Sequence, residues 1–380
     1  MQTKIVLGLG YGDEGKGLVT AYHAATSKHP LVIRFSGGHQ AGHTVVTAEG
    51  ERHVFSNLGS GTLAGVPTYW SRFCTFNPVD FWQERQALEA KGFSATFFLD
   101  ALAPVTTPYD VFANRHREKE QAHGSCGMGV GATNERMEGP HKLFAQDLLF
   151  PAVLQLRLRA VRAYYANRLG LPENWEELEA LFLYAAAAIQ PHIEVVQERI
   201  FFQTRHFETY IFEGSQGILL DMDHGFFPHV TRARTTARQA VELVQANALP
   251  APEIYYVSRA YQTRHGKGPL SNEGLPLSLR PTPLETNQYN PWQGHQRRSV
   301  LDVDMLQYAL TCDANYTGQA PRHFVLTCLD HLDAPLTITT AGKTKVLTNG
   351  QALLEYLNTS FASYWESWSD CSQMLRVYKS

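Results

Sequence analysis

Cysteine, net charge and long apolar runs are all scarce in this chain, and each shortage removes a class of protein. The five cysteines, Cys74, Cys126, Cys312, Cys328 and Cys371, are odd in number and carry no metal-type spacing. They argue against a disulfide framework and for a reducing compartment, so a cytoplasmic location is expected. A formal net charge of −3 exerts no overall pull on nucleic acid or an anionic membrane, and neither is an expected partner. No apolar stretch approaches the roughly 20 residues that span a bilayer. Met1-Gln2-Thr3-Lys4 runs straight into an apolar segment, so no signal peptide is expected. Internal repeats and low-complexity tracts are also missing. What remains is a 380-residue chain, 44% hydrophobic and 18% charged, long enough to bury a large core.

The most telling shortage is a single hydroxyl. Residues 8 to 17 read Gly-Leu-Gly-Tyr-Gly-Asp-Glu-Gly-Lys-Gly after the apolar run Ile5-Val6-Leu7. From Gly10 to Lys16 this fits the P-loop spacing G-x-x-x-x-G-K, whose backbone cradles phosphates. The next residue should be Ser or Thr, to meet a magnesium ion, and is Gly17. Asp13, inside the loop, is the candidate to hold that ion instead. Its carboxylate would also reach an acceptor of the terminal phosphate. The pattern points to phosphoryl transfer onto a bound acceptor rather than to a GTPase switch.

Periodicity places the loop in a βαβ frame. Strand Ile5–Leu7 leads to a helix over Leu18–Ser27 and a second strand, Leu31–Phe35, that ends at Gly37-Gly38. Both glycine turns are expected at the carboxyl ends of adjacent strands, where open α/β sheets bind ligands. Further helices are expected over Val79–Lys91, Ala152–Leu169, Trp175–Arg199 and Gln351–Trp365. Further strands are expected at Tyr210–Phe212, Ile254–Val257, Phe324–Thr327 and Leu336–Thr339. Three prolines between Pro281 and Pro291 indicate a long surface loop. The second turn, Ser36-Gly37-Gly38-His39-Gln40-Ala41-Gly42-His43-Thr44, holds histidines four residues apart. No helix aligns them and no third ligand is near, so zinc is disfavoured. Against zinc the better reading is an imidazole pressed against the phosphates, which can supply a hydrogen bond or proton as charge develops. For the turn taken alone, a pair of surface histidines is the safer reading.

Four ordered blocks resemble the adenylosuccinate synthetase family. Gly8–Gly17 is similar to its W-G-D-E-G-K-G, and Ser36–Thr44 to its G-G-H-N-A-G-H-T. Phe212-Glu213-Gly214-Ser215-Gln216-Gly217, continuing through Asp221-Met222-Asp223-His224-Gly225 to Thr231, is similar to F-E-G-A-Q-G-x-L-L-D-x-D-H-G-x-Y-P-x-V-T. Ala260–Pro269 is similar to A-Y-x-T-R-V-G-x-G-P.

The resemblance implies an α/β fold around a mostly parallel sheet, one domain over 1–380, a helical insertion near 151–200 and a variable loop near 280–298. It also implies a homodimer and a Mg2+-dependent ligation. A 6-oxopurine nucleotide, normally IMP, is joined to aspartate with GTP through a 6-phosphoryl intermediate. By position, Asp13 would take the purine N1 proton and bind the metal with the Gly42 carbonyl, and His43 would stabilise the transferring phosphoryl group. Gly12, Glu14, Gly15, Lys16, Gly17 and Thr44 would hold the triphosphate. Asp330 would read its guanine. Gln40, Ser125, Cys126, Gln216 and Thr231, with Asp13, would hold the purine monophosphate, and Arg297 and Arg298 the amino acid.

Departures from the pattern set the alternatives. Gln40 replaces an asparagine that touches the nucleotide. Cys126 replaces a phosphate-binding threonine in Gly124–Ala132. The arginine lent by a dimer mate is missing near Pro140, with Lys142 or Arg136 as substitutes. Arg232 and Arg234 follow Thr231 as further anion-binding candidates, with exposed helix-start residues as the other reading. Cys328 stands where the guanine-selecting K-x-D has lysine, which weakens the preference for GTP over ATP. A phage branch acting on deoxyguanylate carries a smaller residue in place of Asp13, so the retained Asp13 argues against dGMP. Another nucleotide, another amine, and a catalytically inactive nucleotide-binding regulator are the rivals.

Overall fold

The computed structural model describes residues 1–121, 124–280, 285, 289–361 and 367–370. Short, unbroken apolar runs build a sheet buried on both faces, as parallel strands require. Nine strands form it in chain order: β1 Gln2–Gly8, β2 Pro30–Arg34, β3 Thr68–Trp70, β4 Phe97–Asp100, β5 Glu194–Val196, β6 Thr209–Glu213, β7 Pro252–Arg259, β8 Arg322–Thr327 and β9 Ser367–Asp370. Their order across the sheet is β9-β8-β7-β1-β6-β2-β3-β4-β5. Every neighbouring pair is parallel, so the sheet expected to be mostly parallel is wholly so. Leu336–Thr339 is a strand as expected, extended to Thr340, and belongs to a separate mixed sheet. That sheet joins Tyr261–Arg264, Arg297–Asp302, Leu336–Thr340 and Lys343–Leu347.

One expectation is corrected. The strands before the two glycine turns are not adjacent, because β6 lies between β1 and β2. Glu213, at the end of β6, is in register with Val6 on one side and Arg34 on the other. All five residues of β6 are buried, which suits a central strand better than an edge. Three loops, not two, therefore meet at one end of the sheet.

Helices cover both faces. Pro78–Glu89 starts at Asn77, whose side chain accepts from the Val79 amide at 3.0 Å. Pro151–Leu169 and Trp175–Ala188 follow the expected pair, but the second ends 11 residues before Arg199 (199 − 188). Pro191 interrupts it, and the segment around the β-branched Ile193, Val195 and Val196 continues as β5, paired with β4. The last helix is Gly350–Ser360. Residues 362–366 of that expected helix, and 281–284 and 286–288 of the expected proline-rich loop, lie outside the described residues. Beneath β3 and β4, the rings of Trp70, Phe76, Phe81 and Phe97 pack with centroids 4.5–6.3 Å apart. Among the described residues no helix is long and apolar enough to cross a membrane, and Cys74, Cys126, Cys312 and Cys328 form no disulfide.

His23, on the first helix, is buried with Nδ1 3.2 Å from the Lys4 ammonium and its ring against Tyr255. Burial, reinforced by Lys4 and His323, pushes it from 6.5 down to about 3. The unfolded chain therefore binds a proton that the folded chain refuses between these values, and stability falls as pH drops through that window. The expected slope approaches ~1.4 kcal/mol per pH unit between about pH 6 and 4. Urea titrations across that range should show it in the parent and a shallower dependence in His23→Phe.

Candidate active site

The first loop is shaped by its own acid. Glu14, 3% exposed, accepts from the amides of Gly10 at 3.0 Å and Gly12 at 2.8 Å, and from the Lys16 ammonium at 2.6 Å. Its carboxylate faces inward, so what it offers an anion is its backbone N–H. Gly15 caps the helix Lys16–Thr26 at φ 98°, a left-handed conformation that glycine adopts without penalty. The first amides of that helix have no intrahelical partner, an arrangement that suits an anion at the turn.

The missing hydroxyl has a steric cause. A Cβ on Gly17 would lie 2.8 Å from the His43 Cβ and 3.1 Å from Ser60 Oγ. The second loop leans directly on the start of the helix, and no side chain fits there. Gly17→Ser is expected to cost about 1–3 kcal/mol by overpacking. It should also displace His43, so a thermal melt and a turnover assay should both register the change; a fully active, equally stable variant would contradict this packing.

Asp13 sits at the mouth of the loop with φ 63°. Its carbonyl accepts from Arg259 Nε, and the Gly12 carbonyl from Thr263 Oγ1 at 3.3 Å. Its Oδ2 lies 3.0 Å from His265 Nε2 and accepts from Gln296 Nε2 at 3.2 Å. Burial pushes the carboxyl up, but His265, then Arg259 and Lys16, outweigh it and hold the group below the usual range. At neutral pH it is an ionised proton acceptor.

The two histidines of the second turn part company. His39 is 1% exposed, with Nε2 3.0 Å from the Met128 carbonyl, and serves packing. His43 lines the cleft, with Nδ1 2.6 Å from Glu213 Oε1. Glu213 is completely buried and also accepts from the Ser60 amide at 3.1 Å and the Ser60 hydroxyl. Burial lowers His43 more than Glu213 raises it, so the ring is neutral, with its proton on Nδ1 and a lone pair on Nε2. The third motif is tied to the second by Ser215, whose amide donates to Ser36 Oγ at 3.0 Å.

These loops enclose a cleft of about 710 Å³. It brings together Gly12, Asp13, Glu14, Gly15, Lys16, Gly17, Gln40, Gly42, His43, Thr44, Ser125, Cys126, Gln216 and Thr231, all expected from the sequence. The Gln40 amide nitrogen and oxygen and the Gln216 amide oxygen are buried there without a hydrogen-bond partner. Such groups cost free energy until something pairs with them.

Other expected residues stand apart. Asp330 is 78% exposed on its side chain and, like Arg297 and Arg298, is not part of the lining. Arg297 is bonded to both Glu273 oxygens at 3.0 Å and to the Gly266 and Gly268 carbonyls at 2.8 Å. Arg298 Nε donates to Gln296 Oε1 at 3.0 Å. Arg136 is fully buried against Asp110, its Nε 2.8 Å from Oδ1, while Lys142 is exposed. Arg232 lines the cleft but pairs with Glu135 and Glu138, and Arg234 with Asp223.

His265, Gln296, Arg259 and Glu213 were missed as site residues. Two of them carried a signal: Glu213 lies in the Phe212–Thr231 block, and His265 departs from the valine of its own.

A family model for adenylosuccinate synthetase matches residues 5–376. The chain belongs to this family. Adenylosuccinate synthetases are ligases that form a C–N bond, and the chain falls within that class. The adenylosuccinate synthetase of Saccharophagus degradans is 33% identical over 344 residues, covering 87% of this chain and 77% of that protein. That of Coxiella burnetii is 30% identical over 341 residues, with 87% and 76% covered. The chain spans 65% of the length of the Bordetella avium adenylosuccinate synthetase, to which it is 30% identical over 284 residues.

Two solved structures share the fold. Fully ligated adenylosuccinate synthetase from Plasmodium falciparum aligns with a TM-score of 0.68 at 19% identity, covering 92% of this chain and 83% of that one. The cyanophage S-2L succinoaminodeoxyadenylate synthetase, bound to dGMP and dATP as an energy donor, aligns with a TM-score of 0.55 at 17% identity, covering 95% and 99%.

Proposed function

We propose that this synthetase-family chain condenses a 6-oxopurine nucleoside monophosphate, IMP first, with aspartate at the expense of GTP. The observation that carries this reading is an ionised Asp13 within the phosphate loop, facing the same cleft as Lys16 and His43. Asp13 removes the N1 proton, so that O6 attacks the γ-phosphorus as the bond to GDP breaks. The amine then adds at C6, and phosphate leaves with the C6 oxygen. Lys16, the loop amides and Thr44 hold the triphosphate. His43, with Nδ1–H held by Glu213, takes a second proton on Nε2 under the negative charge of the bound phosphates and donates it as a hydrogen bond to the transferring group. Alignment and electrostatic stabilisation supply the rate. Gln40 and Gln216 meet the purine, and Ser125, Cys126 and Thr231 the monophosphate.

The Asp13 carboxylate and the Gly42 carbonyl are hard oxygen donors on the cleft wall, which suits Mg2+ shared with phosphates and waters. Bound there, the ion would neutralise phosphate charge. Among the described residues no three His, Cys, Asp or Glu side chains cluster as a metal site, and a magnesium held this way needs no such cluster.

Arg298 is the better placed of the two arginines for the amino acid, since Glu273 and two carbonyls occupy Arg297. Residues 1–380 act as one catalytic domain, with the segment near 151–200 as insertion and that near 280–298 as variable loop. The protein works as a cytoplasmic homodimer.

A second reading keeps the chemistry and changes the substrates, with dGMP, another amine, or ATP. It is favoured by Cys328 in place of lysine and by the exposed side chain of Asp330, which leave the triphosphate base loosely specified. Phosphate release measured over a panel of purine monophosphates, amino acids, GTP and ATP tests both. Release only with IMP, aspartate and GTP supports the first; release with another combination supports the second. Binding without release under every condition would leave only a regulator.

A further inference from the structure

Asp13 is held far more firmly than its loop requires. Its left-handed backbone costs free energy for a non-glycine residue and persists only where the surroundings impose it. Arg259 and Thr263 grip the backbone of the Gly12-Asp13 pair, and His265 and Gln296 meet one carboxylate oxygen. The orientation of the Gln296 amide follows from chemistry. Arg298 can only donate and an ionised carboxylate can only accept, so Oε1 faces Arg298 and Nε2 faces Asp13. The bonds run in one direction, from Arg298 through Gln296 to Asp13. His265 stands where the family pattern has valine.

We propose that His265 and Gln296 are positioning residues that clamp the Asp13 carboxylate, with Gln296 linking it to the amino-acid loop through Arg298. The proposal rests on the reading of Asp13 as the base that activates the purine. Both ends of the bonded chain then serve the reaction, Asp13 at the purine and Arg298 at the amino-acid carboxylate. A well-held Asp13 matters because misplacement of a reacting group by about 1 Å costs up to ~10²-fold in rate.

The test uses the full chain with IMP, GTP, aspartate and magnesium, comparing Gln296→Leu, His265→Val and His265→Gln. Gln296→Leu and His265→Val should each lower kcat about tenfold, with the KM for GTP within about twofold of the parent. Gln296→Leu should in addition raise the KM for aspartate about threefold or more, since Arg298 loses a hydrogen-bonded partner, whereas His265→Val should not. His265→Gln retains a side-chain N–H and should recover most of the loss. Unchanged kcat in both apolar variants, or a glutamine at 265 no better than valine, would overturn the clamp. Should the parent release no phosphate with any substrate, the functional reading fails instead. A ligand-free crystal structure of Gln296→Leu then decides the clamp: a displaced Asp13 carboxylate supports it and an unmoved one refutes it.

Discussion

Asp13→Asn should lower kcat by about 10²–10⁴-fold, the usual contribution of a positioned acid or base. Asparagine has nearly the same shape and is among the residues most tolerant of left-handed backbone, so φ 63° remains accessible. Its amide oxygen can still accept from Gln296 and lie beside His265 Nε2, which leaves the surrounding contacts intact. What is lost is the charge and basicity needed to take a proton from N1, without which O6 stays a poor nucleophile. Affinity for the triphosphate should change only a few-fold, because Lys16 and the loop amides remain in place. Melting temperature and GTP binding serve as controls. Turnover near the parental rate would remove Asp13 from the chemistry and, with it, the proposed function.

Glu213→Gln is expected to reduce kcat about 10²-fold without touching substrate. Burial pushes the Glu213 carboxyl up, yet His43, Arg34 and Ser60 outweigh it and keep it ionised. As a carboxylate it accepts from the Ser60 amide, the Ser60 hydroxyl and His43 Nδ1. A glutamine would turn an NH2 toward one of these donors, leaving a buried group unpaired at a cost of about 1–3 kcal/mol. His43 would then lose the acceptor that fixes its tautomer and ring orientation. His43→Ala should show a similar loss of rate, and the double variant should be little worse than either alone. Additive losses would mean that Glu213 acts by some route other than His43.

The phosphate loop was legible because glycine spacing, a following helix and Lys16 are local features. The same holds for the second turn, whose short Gly-Gly and Gly-His-Thr pieces advertise a backbone that approaches something closely. Local pattern could not distinguish His39 from His43, however. Only packing shows that one imidazole is spent on carbonyls in the core and the other faces the cleft. Arg136 and Arg297 mislead for a related reason. A guanidinium reads as an anion site until the chain folds a carboxylate onto it, as Asp110 and Glu273 do here. Strand adjacency was misjudged because nothing in residues 1–45 announces that a strand 175 residues after Arg34 (209 − 34) will enter between β1 and β2.

Residue patterning carried the family, through four ordered blocks along the chain, together with the parallel α/β class and the two glycine turns that line the cleft. Only long-range packing showed which side chains flank the Asp13 carboxylate, which histidine is set by Glu213, and why residue 17 can bear no side chain. Those outcomes depend on contacts across 26 residues between positions 17 and 43, 170 between His43 and Glu213, and 283 between Asp13 and Gln296. Distances of that kind are set when the sheet assembles, and no local pattern encodes them.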